Sequence, residues 1–265
     1  MIKKICLITV ARSGSNWFCN AVKNIDGIKG YYELFHPLQP YGLSNNDIEY
    51  LSKIHRDQFS YVDGSIDDNQ FNKFRLSKPN MFLSTLLKLA QENNDKKIFF
   101  KLFNEHLSDN SLKKLHRNKS LHYIFLLRNI LDSYISLEKA SNLNKWNKVD
   151  TTDIKIEIDK SKLLSYQTKI LKWYKYNYSS ISNENIINIV NYEDISVRSD
   201  KEKSLNNIYS SLNFKDLKIA IDKKHSYTVQ DKNESWRDKV ININEVERLL
   251  KNKKIITNLK ERIIE

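Results

Sequence analysis

The segment KICLITVARSGSNW, residues 4–17, decides the fold of this chain. Its first half, residues 4–10, is an apolar run rich in branched residues and too short for a helix, which predicts a buried strand. A turn over Ala11–Gly14 follows, and from Ser15 to about Ile25 apolar residues recur at helical spacing. A strand, a small-residue turn and a helix start direct backbone N–H groups at an anion. The segment therefore predicts an anion-binding loop.

The same alternation continues over the first 195 residues. Apolar runs predict further strands at about Tyr31–Phe35, Lys97–Phe103, Leu121–Leu127 and Ile186–Val190. Segments between them predict helices at about Pro79–Leu89, Ser108–His116, Ile130–Asn142 and Lys162–Ile181. Strands separated by helices indicate a central parallel sheet with helices on both faces, the P-loop-like three-layer α/β/α class. Ligands of such sheets bind beyond the carboxyl ends of the strands.

Length and composition favour a single domain. The chain has 265 residues, 40% of them hydrophobic, which is enough for a sizeable core and excludes a mainly disordered chain. We divide it into an α/β core over residues 1–214 and a basic, weakly helical tail over residues 215–265. No apolar run approaches the roughly 18 residues of a membrane-spanning helix. The two cysteines, Cys6 and Cys19, are too few for a disulfide scaffold and predict a cytoplasmic protein.

The net charge of +12 is compatible with binding to a polyanionic partner. The chain is also dominated by Lys, Asn and Ile and holds only 5 Gly and 3 Pro, a composition typical of an AT-rich genome. Because the basic residues are spread along the whole chain, a nucleic-acid-binding module is an alternative and not the leading hypothesis. No metal-ligand spacing joins the histidines at positions 55, 106, 116, 122 and 225, so we expect no metal.

A second polar cluster follows the strand predicted at residues 121–127. Arg128 is placed at the carboxyl end of that strand, and Ser136 lies eight residues further on, inside the next helix. A guanidinium and a hydroxyl at this edge can hold one phosphate, since the guanidinium binds two of its oxygens at once. An Arg128–Asp132 ion pair with Ser136 in solvent is the alternative interpretation.

Together the two clusters resemble the PAPS-dependent sulfotransferases, which take a sulfuryl group from 3′-phosphoadenosine 5′-phosphosulfate (PAPS). The string Arg-Ser-Gly-Ser-Asn-Trp at residues 12–17 is similar, position by position, to the family's 5′-phosphosulfate loop. The segment from Arg128 to Ser136 is similar to its 3′-phosphate string, except that Ile130 stands where Pro is common. The resemblance covers residues 4–35 and 96–196.

The resemblance implies which residues bind PAPS: Arg12, Ser13, Gly14, Ser15, Asn16, Trp17, Arg128 and Ser136. Arg12 would contact the phosphosulfate, the backbone of the following residues would cradle it, and Trp17 would lie near the adenine. Arg128 and Ser136 would bind the 3′-phosphate. We expect a branched side chain at Gly14 to intrude where the backbone approaches phosphate.

The reacting centre is expected around Glu33, in the aromatic stretch YYELFHP at residues 31–37. Glu33 resembles the catalytic base of carbohydrate sulfotransferases, and its aromatic neighbours would partly desolvate it. His36 is the rival base, because imidazole titrates near neutrality. The third alternative is that neither residue is the base and that Glu33 is a solvated carboxylate beside a histidine at a strand end. Lys101 interrupts an apolar strand, as a lysine does in family members, and is expected to face the transferred group or the acceptor. An edge-strand lysine in solvent is the alternative.

These observations predict a sulfotransferase that acts on a hydroxyl, favoured on a sugar, with a cleft formed by residues 36–78 and 145–160. The acceptor is a small molecule or glycan; no nucleic acid partner is expected. A nucleotide-dependent small-molecule kinase is the other alternative, but Thr9 and Ser15 stand where the nucleotide P-loop needs Gly and Lys. The string Tyr-Glu-Asp at residues 192–194 resembles a family string, and we interpret it as a structural turn and helix cap.

Overall fold

A computed structural model describes residues 3–62, 65–145, 149–196, 200–212 and 231–265. Its strands are β1 (Lys4–Ile8), β2 (Ile28–Gly30), β3 (Tyr61–Val62), β4 (Ser65–Ile66), β5 (Lys97–Leu102), β6 (Leu121–Leu127) and β7 (Ile186–Asn191). Five of these strands form one parallel sheet in the order β2-β5-β1-β6-β7. The remaining two, β3 and β4, form a separate antiparallel pair. The carboxyl ends of β1, β5 and β6 therefore meet at the same edge.

Helices connect the strands and follow them. The α-helices of the described residues are α1 (Ser15–Lys23), α2 (Asn45–Ile54), α3 (Asp68–Ser77), α4 (Pro79–Glu92), α5 (Asp109–His116), α6 (Ile130–Leu143), α7 (Lys160–Ser180), α8 (Tyr192–Ile195), α9 (Lys201–Leu212), α10 (Ile243–Lys251) and α11 (Leu259–Ile264). A short 3-10 helix covers Trp236–Lys239. No helix in the described ranges is long and apolar enough to cross a membrane.

The central strand β1 divides the core into two layers. Cys6 and Ile8 point into the larger hydrophobic cluster, which α4, α5, α6 and α7 cover. Ile5 and Leu7 point into the smaller cluster, which α1 and α9 cover. All five residues of β1 are buried, as a strand covered on both faces requires. The predicted three-layer α/β/α fold is confirmed.

The strand predicted at Tyr31–Phe35 is wrong, because β2 ends at Gly30. The Tyr31 N–H still donates to the carbonyl of Phe99 at 2.8 Å, but the His36 N–H then turns back to the carbonyl of Glu33 at 3.2 Å. The aromatic residues of this stretch lie in a loop and pack into the core. Their apolar pattern resembles that of a buried strand, which explains the wrong prediction. The other predicted strands agree with the structure to within two residues at each end.

The tail predicted as basic and helical is described only from residue 231 onward, since residues 213–230 lie outside the described part. Two ion pairs join the tail to α6. Lys139 Nζ lies 2.8 Å from Asp231 Oδ2, and Lys239 Nζ lies 3.3 Å from Asp132 Oδ1. Both lysines are almost fully buried. The described tail thus packs against the helix that follows β6.

Candidate active site

The two sequence motifs meet at the carboxyl edge of the sheet. Arg12, in the loop after β1, donates from Nε to Ser136 Oγ of α6 at 3.0 Å. Arg128, directly after β6, donates from Nη1 to the backbone carbonyl of Arg12 at 2.6 Å. Because β1 and β6 are adjacent and parallel, residues more than 100 positions apart in sequence come into direct contact here.

The loop after β1 has the backbone of an anion-binding turn. Arg12 and Gly14 adopt left-handed conformations, with φ of 66° and 83°. The fully buried Ser13 hydroxyl is bonded within the turn, 2.6 Å from Thr9 Oγ1 and 2.8 Å from the Val10 carbonyl. Ser13 can therefore offer a ligand its backbone but not its hydroxyl. Gly14 occupies the N-cap of α1 without a side-chain cap, which leaves the helix N-terminus suited to an anion.

The short helix α8 covers this loop, a contact that the interpretation of residues 192–194 as a turn and cap missed. A Cβ on Gly14 would overlap the Tyr192 ring. A substitution at Gly14 would therefore clash with Tyr192, whereas the sequence predicted a clash with phosphate. The Tyr192 ring also lies 4.7 Å from the Arg128 guanidinium and edge-on to Trp17, with centroids 5.9 Å apart. Tyr192 thus contacts residues of both motifs.

The electrostatics of the two guanidinium groups suit an anionic ligand. Burial, reinforced by the charge of Arg128, lowers the pKa of Arg12. The buried Nε of Arg128 has no hydrogen-bond partner among the described residues. Asp132 pairs with Lys239, so the alternative of an Arg128–Asp132 pair is wrong. A guanidinium with an unfilled donor beside a second guanidinium fits a phosphate, which can supply the acceptor that Arg128 Nε lacks.

Lys101 joins the first loop to the segment after β2. Its side chain is 2% exposed, and its Nζ lies 2.5 Å from Asn16 Oδ1 and 3.0 Å from Glu33 Oε1. The ammonium also lies 4.8 Å from the centre of the Phe103 ring. Because β5 lies between β2 and β1, the alternative of a solvated lysine on an edge strand is wrong. A buried ammonium at this edge is held by an amide and a carboxylate.

Glu33 is ionised in this environment. Burial alone raises its pKa, but the contacts with His106 and Lys101 outweigh that effect and hold the pKa at about 2. Its Oε2 lies 3.5 Å from His106 Nε2, and its side chain is 20% exposed. The carboxylate is therefore partly accessible and contacts a different cationic or donor group with each oxygen.

His36 lies beside this cluster. Its ring packs edge-on against Tyr41 and His106, with centroids 5.1 Å and 5.8 Å away. Its Nδ1 is buried and has no hydrogen-bond partner among the described residues. His36 therefore contacts His106, a partner of the Glu33 carboxylate, while the ion pair itself joins Glu33 to Lys101.

Sequence reasoning missed two residues of this region. His106 lies four residues beyond the end of β5. A polar residue that follows the carboxyl end of a strand is a signal for a ligand site, and the sequence offered that signal here. Arg75 of α3 is fully buried and donates to the carbonyls of Leu34 and His36 at 2.9 Å and 2.5 Å. Burial lowers the pKa of Arg75 to about 10. No sequence signal marks Arg75, because its partners in the loop are backbone carbonyls.

The chain is similar to a known protein family: the model of the sulfotransferase domain family matches residues 3–254. The matched span includes both motifs, the Glu33 loop and Lys101. No curated protein matches the chain.

Proposed function

The chain belongs to the sulfotransferase domain family and is a PAPS-dependent sulfotransferase, and on that premise we propose that it sulfates a carbohydrate hydroxyl with Glu33 as the base. One observation carries the assignment of the reacting centre. Lys101 lies between Asn16, in the anion-binding loop, and Glu33, in the segment after β2. A donor group held by the loop would therefore lie close to both a cation and a carboxylate.

PAPS supplies the sulfuryl group and carries anionic groups at both ends of one nucleoside. In the proposal, Arg12 and the backbone of residues 13–16 hold its 5′-phosphosulfate, and Trp17 lies near the adenine. Arg128 and Ser136 hold the 3′-phosphate. The unfilled Nε of Arg128 supports this assignment, as does the direct contact of Arg12 with Ser136. Arg12 would then lie between the 5′-phosphosulfate and the 3′-phosphate. Because it contacts the phosphosulfate, we count it among the catalytic residues.

Glu33 removes the proton of the acceptor hydroxyl in the proposed reaction. The acceptor oxygen forms a bond to sulfur while the bond from sulfur to the 5′-phosphate oxygen breaks. The electron pair of that bond leaves with adenosine 3′,5′-bisphosphate, and the proton stays on the Glu33 carboxylate. Lys101 stabilises the negative charge that builds up on the bridging oxygen, as preorganised cations do in related group transfers.

The ion pair also explains how a carboxylate of low pKa acts as a base. Lys101 and His106 keep Glu33 ionised before the donor binds. An anionic donor competes with Glu33 for the Lys101 ammonium. As Lys101 turns to the donor, the pKa of Glu33 rises toward its ordinary value, and the carboxylate becomes a better proton acceptor when the base is needed.

The carbohydrate acceptor rests on the resemblance of Glu33 to the base of carbohydrate sulfotransferases and on Tyr41, an exposed aromatic residue whose backbone is bonded to that of Glu33 and whose ring packs against His36. Tyr41 is 42% exposed, and its N–H donates to the Glu33 carbonyl at 3.1 Å. Such a ring can pack on the apolar face of a sugar. A cytoplasmic location is part of the proposal, supported by the free thiols of Cys6 and Cys19.

A transfer screen tests the acceptor. The protein is incubated with ³⁵S-labelled PAPS and panels of mono- and oligosaccharides, simple alcohols and phenols. Label in sugars but not in phenols is expected; label in phenols alone contradicts the carbohydrate assignment. Thermal shift with adenosine 3′,5′-bisphosphate, ATP and an oligonucleotide is the companion measurement, and only the first is expected to stabilise strongly. Stabilisation by ATP alone would instead favour the kinase alternative.

A further inference from the structure

His106 is tethered to its own turn through one ring nitrogen. Its Nδ1 accepts the backbone N–H of Phe103 at 3.2 Å. The preceding residue, Glu105, has a left-handed φ of 70°, and the His106 N–H donates to the Phe103 carbonyl at 3.4 Å. Left-handed backbone at a residue other than Gly is strained and is found preferentially at functional sites. The turn thus fixes the direction of a ring that is only 5% exposed.

The tether determines the tautomer. A neutral imidazole has one nitrogen that accepts and one that donates, and here Nδ1 accepts. The proton is therefore on Nε2, which lies 3.5 Å from Glu33 Oε2. This separation is at the outer limit of a hydrogen bond, and such contacts commonly shorten when substrate binds.

We propose that His106 is a positioning residue for sulfuryl transfer, which donates its Nε2–H to Glu33 and holds the carboxylate in the orientation required of a base. The inference rests on the proposed role of Glu33. Lys101 contacts Oε1 and His106 contacts Oε2, so each carboxylate oxygen has one donor and keeps a lone pair for the acceptor proton. Without His106, the carboxylate turns both oxygens toward the Lys101 ammonium and away from the acceptor.

The same geometry argues against His106 as the base itself. Neither ring nitrogen has a free lone pair directed at Glu33 or the acceptor, because Nδ1 already accepts and Nε2 carries the proton. Burial lowers the pKa of His106 and opposes the effect of Glu33; His36 and Lys101 add to the lowering. The ring therefore stays neutral. Cys19 of α1 is a further titratable group that interacts with Lys101 and Glu33, and burial holds its thiol protonated by raising its pKa to about 12.

Two conservative variants separate the two nitrogens. His106→Asn retains an acceptor near the position of Nδ1, so it preserves the turn, but it has no group that reaches Glu33. His106→Gln places an amide N–H near the position of Nε2, so it preserves the donor to Glu33. His106→Leu removes both. Each full-length variant is compared with the wild type for PAPS turnover, with water and then N-acetylglucosamine as the acceptor, and for calorimetric binding of adenosine 3′,5′-bisphosphate.

We expect His106→Leu and His106→Asn to lower kcat by roughly 10- to 100-fold, the range for losing a hydrogen bond to a charged group or misplacing a reacting group. His106→Gln is expected to restore most of that loss. The KM for PAPS and the affinity for adenosine 3′,5′-bisphosphate should change by less than about threefold, because His106 acts on Glu33 and not on the donor. The same substitutions in a Glu33→Gln background should have no further effect.

The pH profile supplies a measurement that a purely structural role does not move. Removing His106 removes a donor that stabilises the ionised Glu33, so the pKa of Glu33 rises and the acid limb of kcat/KM shifts to higher pH. His106→Gln should return the limb toward the wild-type position. Activity in His106→Asn equal to wild type, with a loss in His106→Gln, would overturn the proposal in favour of a structural turn.

Two further outcomes overturn it in distinguishable ways. If all three variants are as inactive as Glu33→Gln while still binding adenosine 3′,5′-bisphosphate, His106 is itself the base and not a positioning residue. If Glu33→Gln keeps full activity, the base assignment in the proposed function has failed, and the positioning role falls with it. If His106→Leu does not fold, the comparison of the Asn and Gln variants still decides between a donor to Glu33 and a structural tether.

Discussion

Two regions of the site differ in how they are built. The motif region, Arg12–Trp17 with Arg128 and Ser136, carries adjacent guanidinium groups and a buried nitrogen that lacks an acceptor. The carboxylate cluster, Glu33 with Lys101, His106 and His36, already pairs its buried ammonium with a carboxylate. The first region keeps a buried donor, Arg128 Nε, whose acceptor a ligand can supply, whereas the second already pairs its ammonium with a carboxylate before any ligand binds. We infer that changes in the motif region alter donor affinity and that changes in the carboxylate cluster alter turnover.

The largest effect is expected from Lys101→Met. Removing the ammonium takes away the cation beside the transferred group and leaves Glu33 without its closest partner. Turnover should fall by about 1,000-fold, the upper range for losing one preorganised electrostatic group. Affinity for adenosine 3′,5′-bisphosphate should change little. Lys101→Arg, which keeps the charge, is the control. An affinity loss as large as the turnover loss would contradict the inference that the carboxylate cluster alters turnover and not donor affinity.

Glu33→Gln should lower turnover by about 100-fold or more, the usual range for losing a general base. Gln keeps the size of the side chain and a hydrogen-bonding oxygen for Lys101 but does not take up a proton. Donor affinity, measured by calorimetry, should be nearly intact. His36→Ala is the matched test of the rival base. Should His36→Ala abolish turnover while Glu33→Gln barely changes it, the base has been assigned to the wrong member of the carboxylate cluster.

The same contrast explains how much the sequence predicts. The motif region consists of short strings after strands, so the strand pattern and the fixed spacing from Arg128 to Ser136 place it correctly. The carboxylate cluster is assembled from the segment after β2, from β5 and from the turn after β5, and no spacing in the chain links Glu33 to Lys101 or His106. Such contacts depend on sheet order and side-chain direction, which periodicity does not specify.

The backbone conformation of a buried loop is difficult to predict from sequence for a related reason. The stretch from Tyr31 to Phe35 is apolar enough for a strand, yet its backbone is turned at Glu33 and held by Arg75 from α3. Arg75 donates to carbonyl groups that every residue type provides, so the pairing leaves no pattern in the sequence. The position of Glu33 therefore depends on an interaction that only the folded chain reveals.

In the motif region, Arg128→Ala should weaken binding of adenosine 3′,5′-bisphosphate by roughly 10- to 150-fold, since a charge-assisted contact contributes about 1.5–3 kcal/mol. Adenosine 5′-phosphosulfate, which lacks the 3′-phosphate, should lose little affinity. Arg117→Ala removes an exposed charge at the end of α5 and controls for the general field. Equal losses for the two ligands would mean that Arg128 supports the loop through the Arg12 carbonyl and does not recognise the 3′-phosphate.

The smallest effect is expected from Ser136→Ala, and it tests how the motif region is held together. The Ser136 hydroxyl accepts a hydrogen bond from Arg12 Nε, so it has two possible roles: to bind the 3′-phosphate and to orient Arg12. A neutral hydroxyl makes a weaker and less directional contact than a bidentate guanidinium, so we expect a loss of roughly 2- to 10-fold in affinity, smaller than that of Arg128→Ala. Ser141→Ala, at an exposed position of the same helix, is the control and should change nothing.

The two ligands separate those roles. If Ser136 binds the 3′-phosphate, Ser136→Ala weakens adenosine 3′,5′-bisphosphate and leaves adenosine 5′-phosphosulfate almost unchanged. If its main role is to orient Arg12, both ligands weaken together, because Arg12 is assigned to the 5′ group that they share. In the second case the effect should disappear when Arg12 is already Ala, since the hydroxyl then has no guanidinium to hold. Calorimetry of the single and double variants thus decides whether the motif region is one continuous anion site or two sites joined by Arg12.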